Sequence, residues 1–306
     1  MLSCRYSLSV EVNVPPFMFN TRRAELSVRC VRSDDLDELR RLVEESRHAH
    51  VQLDWWTWED WIGNPGLLVA QDSVRIVGIG LGVRDASPTA WLRAVVVKDG
   101  QGVDALLDAL LPPMMAALCS QGVEALACLA WSAWLSDRLP ERGFAPQAQV
   151  VTLRKDGGAA PVARSPGVFV REASMADLDA ALAIDHAAFE MVWWYAETAL
   201  FRAMRGALRF CVAERQGRII GYAFAHATGV QAHITRLAVH PSHQGQGVGA
   251  LMLADLVEQA RAQGAEFITL NTQTYNENSL RLYRRFGFEP IGPAVTAWLC
   301  PIGPQD

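Results

Sequence analysis

The sequence predicts an α+β protein made of two similar halves, each a mixed, mainly antiparallel sheet flanked by helices. Short period-two apolar runs alternate with helical patterns along the whole chain, as strands and helices sharing a core do. Landmarks also recur at a nearly constant offset. Gly100-Gln101-Gly102-Val103 returns as Gly245-Gln246-Gly247-Val248 after 145 residues, and Gly143-Phe144 returns as Gly287-Phe288 after 144, which marks an internal repeat. Between the halves, residues 155–167 carry Gly157, Gly158, Pro161, Pro166 and Gly167, the composition of a linker. The expected division is an N-terminal extension at 1–25, a first domain at 26–154, a linker at 155–167 and a second domain at 168–306.

The elements follow in order. Leu26 to Arg32 reads as a strand and Asp34 to Ser46 as a helix, matched in the second half by Val168 to Glu172 and Met175 to Ala188. The second half continues as helix 194–205, strands 208–214, 218–227 and 231–239, helix 247–263, strand 266–270, helix 277–286 and strand 288–299. In helix 247–263, Val248, Leu251, Met252, Leu256 and Ala260 share one face, so it is expected to lie half-buried on a sheet.

Composition narrows the function classes. The chain of 306 residues is about two domains long, and half of its residues are hydrophobic, enough for two cores. A formal charge of −5 argues against a nucleic-acid surface, which needs a basic face. Six cysteines (Cys4, Cys30, Cys119, Cys128, Cys211 and Cys300) lack Cys-x-x-Cys spacing, which suits buried thiols in a reducing compartment and predicts no metal site. Stretches near twenty apolar residues are all interrupted by charges or breakers, and Met1 to Phe19 has no signal-peptide core. A cytoplasmic protein without a membrane segment is expected.

The chemistry gathers at His243 to Gly249, a glycine-rich turn that leaves a strand and opens a helix. Glycines let the backbone approach an anion, and the free N–H groups and positive end of the helix face it, so the turn is suited to phosphate. About thirty residues on come Asn276, Ser279, Tyr283 and then Phe286-Gly287-Phe288. Together these pieces resemble the GNAT superfamily of acetyl-CoA-dependent N-acetyltransferases. Gln244, Gly247 and Gly249 fill its pyrophosphate-loop pattern, and Asn276 and Tyr283 fill its last-helix pattern, with Ser279 replacing the usual Ala. The resemblance covers residues 167–299 and, with the repeat, implies tandem GNAT-like domains.

The resemblance also implies roles. The backbone of Leu237-Ala238-Val239 would bond the pantetheine arm of acetyl-CoA, and the N–H groups of Gln244, Gly245, Gln246, Gly247, Val248 and Gly249 would hold its pyrophosphate. Asn276 would contact the pantetheine, or else cap its own helix. Tyr283 would protonate the departing thiolate, although Leu280, Tyr283 and Phe286 also recur at the spacing of a core face. His233 fills the place where some relatives carry a Glu base; strict alternation would set it on one face with Thr235, Leu237 and Val239. His226, His186 and Glu190 are alternatives. The stretch Phe189 to Tyr195 is similar to the acceptor loop of ribosomal-protein N-terminal acetyltransferases, but Asn271 stands where those enzymes have Glu. In the first half, Asp99, Asp104 and Leu139 take the places of Gln244, Gly249 and Tyr283, so that half is expected to keep the fold without the cofactor.

The expected function is direct transfer of acetyl from acetyl-CoA to a primary amine, a small molecule or a peptide N-terminus, in the second half. The alternative is a non-catalytic acyl-CoA-binding regulatory module. The chain is expected to act as a monomer, an intramolecular pseudo-dimer, or as a homodimer.

Overall fold

The computed structural model describes residues 26–73, 75–84 and 88–303, so the 1–25 extension and Cys4 lie outside the described residues. The described residues form two compact units, one made of those within 26–145 together with 298–303 and the other of residues 146–297.

The first unit contains β1 (Leu26–Cys30), α1 (Leu36–Glu45), β2 (His48–Val51), β3 (Leu67–Asp72), β4 (Arg75–Arg84), β5 (Thr89–Val97), α2 (Val103–Cys119), β6 (Ala125–Ala130) and α3 (Ala133–Ser136). Its strands run in the order β1-β3-β4-β5-β6, antiparallel except for the β5–β6 pair, and β2 adds antiparallel to β5. Leu107, Leu110 and Met114 of α2 fill one core with Val95 and Val97, while Leu39 and Leu42 of α1 fill another with Val69 and Val96. The helix α2 comes close because β4 offers glycine: a Cβ on Gly80 would stand 2.6 Å from Met114 Cε.

The second unit contains β7 (Ala145–Asp156), β8 (Phe169–Glu172), α4 (Leu178–Ala188), α5 (Glu197–Gly206), β9 (Arg209–Arg215), β10 (Arg218–Thr228), β11 (Gln231–Val239), α6 (Val248–Ala262), β12 (Phe267–Gln273), α7 (Glu277–Arg285) and β13 (Glu289–Pro301). The strand order is β8-β9-β10-β11-β12-β7, and β11–β12 is the parallel pair. Met252, Leu253 and Leu256 of α6 pack on Ala223, Ala225, Ile268 and Leu270.

Each unit is α+β, a mixed, mainly antiparallel sheet with helices on its faces, as the sequence predicts. The repeat reaches individual side chains. Arg29 forks onto both carboxylate oxygens of Asp35 at 2.6 and 2.8 Å, and Arg171 onto those of Asp177 at 2.8 Å, 142 residues later. The Arg171 guanidinium drives the Asp177 carboxyl well below the usual carboxylate range.

The boundaries differ from expectation at both ends of the second half. The strand β7 pairs over Val150–Asp156 with β12, and Leu153 is buried in the second core, so the chain divides after Ala145 and not within 155–167. The expected linker is partly strand and partly docked: the Ala160 N–H donates to Glu258 Oε1 at 2.7 Å, and Ser165 Oγ to the Gln246 carbonyl at 2.8 Å. Residues from Trp298 onward return to the first unit, where Trp298 and Cys300 join the α2 core and the Ile302 N–H donates to Glu124 O at 2.8 Å.

Candidate active site

The strands β11 and β12 pair in parallel from Gln231↔Phe267 to Ile234↔Leu270. Beyond that register β11 continues to Val239 and β12 to Gln273, so the two strands part and a cleft opens with His233 and Thr269 paired near its apex. Opposite β10, the register shifts between Phe224↔Arg236 and Ala225↔Ile234, which makes Thr235 a bulge residue. A bulge adds one residue and reverses the faces beyond it. Leu237 and Val239 therefore join Ala232 and Ile234 against the α6 core, while His233 shares the opposite face with Arg236. The expectation that His233, Thr235, Leu237 and Val239 share a face is corrected by this bulge.

Next to the cleft lies the glycine turn. Gly245 and Gly247 have φ of +73° and +82°, in the left-handed region that favours glycine. A Cβ on Gly247 would stand 2.7 Å from the Arg164 carbonyl, whereas one on Gly245 would meet open space. Gly247 is the N-cap of α6 and offers no side-chain cap, so the first N–H groups of that helix face outward without an intrahelical acceptor. Gly249 meets only ordinary contacts, with Leu237 and Leu282 at 3.6 Å. Val248 is buried beneath the turn. Gln244 and Gln246 turn back to brace the loop, Gln244 Nε2 donating to Val239 O and Gln246 Nε2 to Ser242 O, both at 3.1 Å. Arg215, which the sequence reading passed over, donates to Gln246 Oε1 at 2.6 Å and brings a cation beside the turn. His240 and His243 bond Ser242 within the same loop.

Tyr283, on α7, is buried with the α6 core and lies edge-on to Phe288 at 6.1 Å. Burial pushes its phenol up to about 12, so it stays protonated at every physiological pH. Asn276 caps α7, its Oδ1 accepting from the Ser279 N–H at 3.3 Å. That bond uses the carbonyl oxygen of the side chain and leaves its amide donors for other partners.

His233 Nδ1 lies 2.8 Å from Thr269 Oγ1. Its imidazole is pushed down to about 4, first by burial and then by His226 nearby. The ring is neutral near pH 7 and can accept a proton, but only weakly. Asn271 accepts from Thr152 Oγ1 at 2.9 Å. His186, on α4, bonds the Tyr195 carbonyl at 3.1 Å and stacks on Trp194 at 4.3 Å, and Glu190, in the 189–195 loop, accepts from the Tyr275 hydroxyl at 3.4 Å. Among the described residues no cluster of three His, Cys, Asp or Glu is placed to hold a metal, and no helix is long and apolar enough to cross a membrane.

The first unit repeats this cleft and fills it. The strands β5 and β6 pair from Thr89↔Ala125 to Trp91↔Ala127, and the β5 bulge falls at Arg93, both 142 residues before their counterparts. Here β2 pairs with Ala94–Val97, the positions equivalent to Arg236–Val239. His50 of β2 is fully buried, with Nε2 3.9 Å from Cys128 Sγ and its ring 4.2 Å from that of Trp131. Asp104, at the place of Gly249, is held by Arg138 and Arg142. Leu139, at the place of Tyr283, is buried in the core.

Comparison with known proteins agrees with this architecture. The acetyltransferase (GNAT) family model matches residues 176–288. An L-methionine sulfoximine/L-methionine sulfone acetyltransferase of Pseudomonas aeruginosa is 30% identical over 145 residues, 40% of this chain and 81% of that protein. An IAA acetyltransferase of Azospirillum brasilense is 35% identical over 88 residues, 28% of this chain; the match spans only 58% of that enzyme, and just 27% of another relative, the Bacillus subtilis spore coat polysaccharide biosynthesis protein SpsD. Among solved structures, a tandem GNAT protein from the clavulanic acid biosynthesis pathway superposes with a TM-score of 0.65 at 16% identity, covering 92% of this chain and all of that one. With the parted parallel strands, the glycine turn and the last-helix motif in one unit, the chain belongs to the GNAT acetyltransferase family.

Proposed function

We propose that this protein is an acetyl-CoA-dependent N-acetyltransferase acting on a primary amine, with one active site per chain, in the second unit. The observation that carries this reading is the cleft between β11 and β12 opening beside the uncapped start of α6. A phosphate-bearing thioester fits these groups: the N–H groups of residues 245–249 suit a pyrophosphate, and the edge of β11 at Leu237-Ala238-Val239 suits an extended amide-bearing arm. When bound, acetyl-CoA supplies an electrophilic carbonyl and a thiolate leaving group.

The residues of this chain then have distinct tasks. The β11 edge holds the thioester carbonyl in place for an amine arriving from the 189–195 side. Tyr283, protonated throughout, donates its proton to the sulfur as the carbon–sulfur bond breaks. Neutral His233 takes the proton that the amine nitrogen loses on becoming an amide. The named relatives suggest amino-acid-like small amines as the first acceptors to try, with peptide N-termini second.

Calorimetry with acetyl-CoA, followed by a transfer assay over a panel of amines that includes L-methionine sulfone and short peptides, tests the reading. One bound acetyl-CoA per chain with transfer to an amine is expected. Binding without transfer to any amine would leave a non-catalytic acyl-CoA-binding module, and no binding would remove the cofactor assignment.

A further inference from the structure

A buried ion pair joins the cofactor strand of the second unit to its acceptor loop. Arg236 Nε donates to Asp185 Oδ1 at 2.7 Å, and Arg236 Nη2 donates to the Trp193 carbonyl at 2.6 Å. The guanidinium lies 3.6 Å from the centre of the Phe189 ring and 4.4 Å from that of Tyr195. Asp185, fully buried at the end of α4, also accepts from the Tyr195 N–H at 2.9 Å and from the Tyr222 hydroxyl. Three positions of the 189–195 loop are thus tied to one side chain of β11. The Thr235 bulge is what turns Arg236 toward them.

The first unit shows the same scaffold without this pair. The offset of 142 residues relates Asp185 to Val43, Arg236 to Ala94 and the segment 190–193 to β2, residues 48–51. Val43 and Ala94 pack together with Ala49 and Val51 in one apolar core. There the segment forms β2 and pairs with the edge of Ala94–Val97, the positions that correspond to Arg236–Val239. The filled and the open cleft thus differ in the residues that face this segment: a charged pair stands in the second unit where the first has two apolar residues.

We propose that Asp185 and Arg236 are positioning residues that hold the 189–195 loop off the β11 edge, keeping the cleft open for acetyl-CoA. This rests on the reading that the second unit binds acetyl-CoA. A buried ion pair is seldom needed for stability, since apolar residues of similar volume often serve as well. Apolar residues cannot bond the Trp193 carbonyl and the Tyr195 N–H, and those bonds fix the loop.

The test uses two full-length double variants, Asp185→Val/Arg236→Ala, which copies the first unit, and Asp185→Leu/Arg236→Met, which preserves more volume. Thermal melting checks the fold, calorimetry reads acetyl-CoA affinity, and hydrogen exchange reads the amides of 189–196 and 237–239. The folded variants are expected to lose affinity at least ~10-fold, because apparent affinity falls with the fraction of molecules whose cleft stays open. The 189–196 amides should change protection while the Leu237 and Val239 amides gain it, a gain that a merely weakened fold does not produce. Arg236→Lys, which keeps the charge beside Asp185, should restore most of the affinity. A folded double variant with wild-type affinity and unchanged protection at 237–239 overturns the proposal. Wild-type protein that fails to bind acetyl-CoA overturns the underlying reading instead, and the exchange data still report whether the loop has moved.

Discussion

Asp99 Oδ1 accepts a hydrogen bond from the Arg47 backbone N–H at 3.0 Å, and its other carboxylate oxygen lies 3.4 Å from Arg47 Nε. Asp99 stands where the second unit has Gln244 in its glycine turn. The carboxylate that would repel a pyrophosphate thus anchors the entry to β2, the strand that fills the first cleft. Charge and occlusion act together there, and repairing the charge does not remove the strand.

The stoichiometry follows. Wild-type protein should bind one acetyl-CoA per chain, and Asp99→Gln/Asp104→Gly should still bind one, because β2 keeps the Ala94–Val97 edge paired. Calorimetry on both proteins measures this. Two equivalent sites in the double variant would show that the carboxylates alone close the first unit.

Gly245 separates loop chemistry from loop structure. Its φ of +73° suits Asn and Asp better than other non-glycine residues, and a Cβ there meets open space. Gly245→Asp should leave the melting temperature nearly unchanged and weaken acetyl-CoA binding by at least ~10-fold through repulsion of the pyrophosphate. Gly245→Asn should bind almost as the wild type does. Equal affinities for the two variants would show that no phosphate approaches this turn. Gly247 is the wrong place for such a test, because any Cβ there collides with the Arg164 carbonyl and damages the fold as well.

Much of the second unit was legible in the sequence because its signals are local. The strand 231–239 agrees to the residue, and helix 247–263 is found as Val248–Ala262. The order of glycine turn, Asn276 and Tyr283 was a pattern of neighbours in the chain, and so was readable. Long-range pairing was not. Nothing in Val150 to Asp156 says that this strand joins β12, or in Trp298 to Cys300 that these residues return to the first core. The bulge at Thr235 carries no glycine or proline to betray it, so alternation placed His233 on the wrong face. The His48–Val51 strand is too short for its period to distinguish it from a loop.

Tyr283→Phe tests the acid. The hydroxyl matters chiefly as the thiolate forms, so acetyl-CoA affinity should be kept while kcat falls by ~10²–10⁴-fold, the usual worth of general acid catalysis. The phenol is pushed up to about 12, so no alkaline limb from this group should appear at lower pH. A loss below tenfold, with the fold intact by melting, would mean that water protonates the sulfur and that Tyr283 serves the core.

His233 provides the sharpest use of pH. Burial lowers its pKa to about 4, so the charged form is disfavoured and the ring is already neutral well below pH 7. A base must be unprotonated to act, so its contribution rises as pH increases through about 4 and is constant above. Between about pH 5 and 8, the range in which an ordinary histidine titrates, any acidic limb in kcat/KM should therefore belong to the acceptor amine. Two acceptors of different basicity should move that limb with them. His233→Gln keeps the polarity at Thr269 but cannot take up a proton; it should lower the plateau by about tenfold, less than a well-matched base would, and leave the limb where it was. Unchanged acetyl-CoA affinity in the variant would confine the effect to the transfer step. A limb fixed near neutrality for both acceptors, and absent in His233→Gln, would show that the imidazole titrates near its ordinary value in the working enzyme and that burial does not set its protonation there.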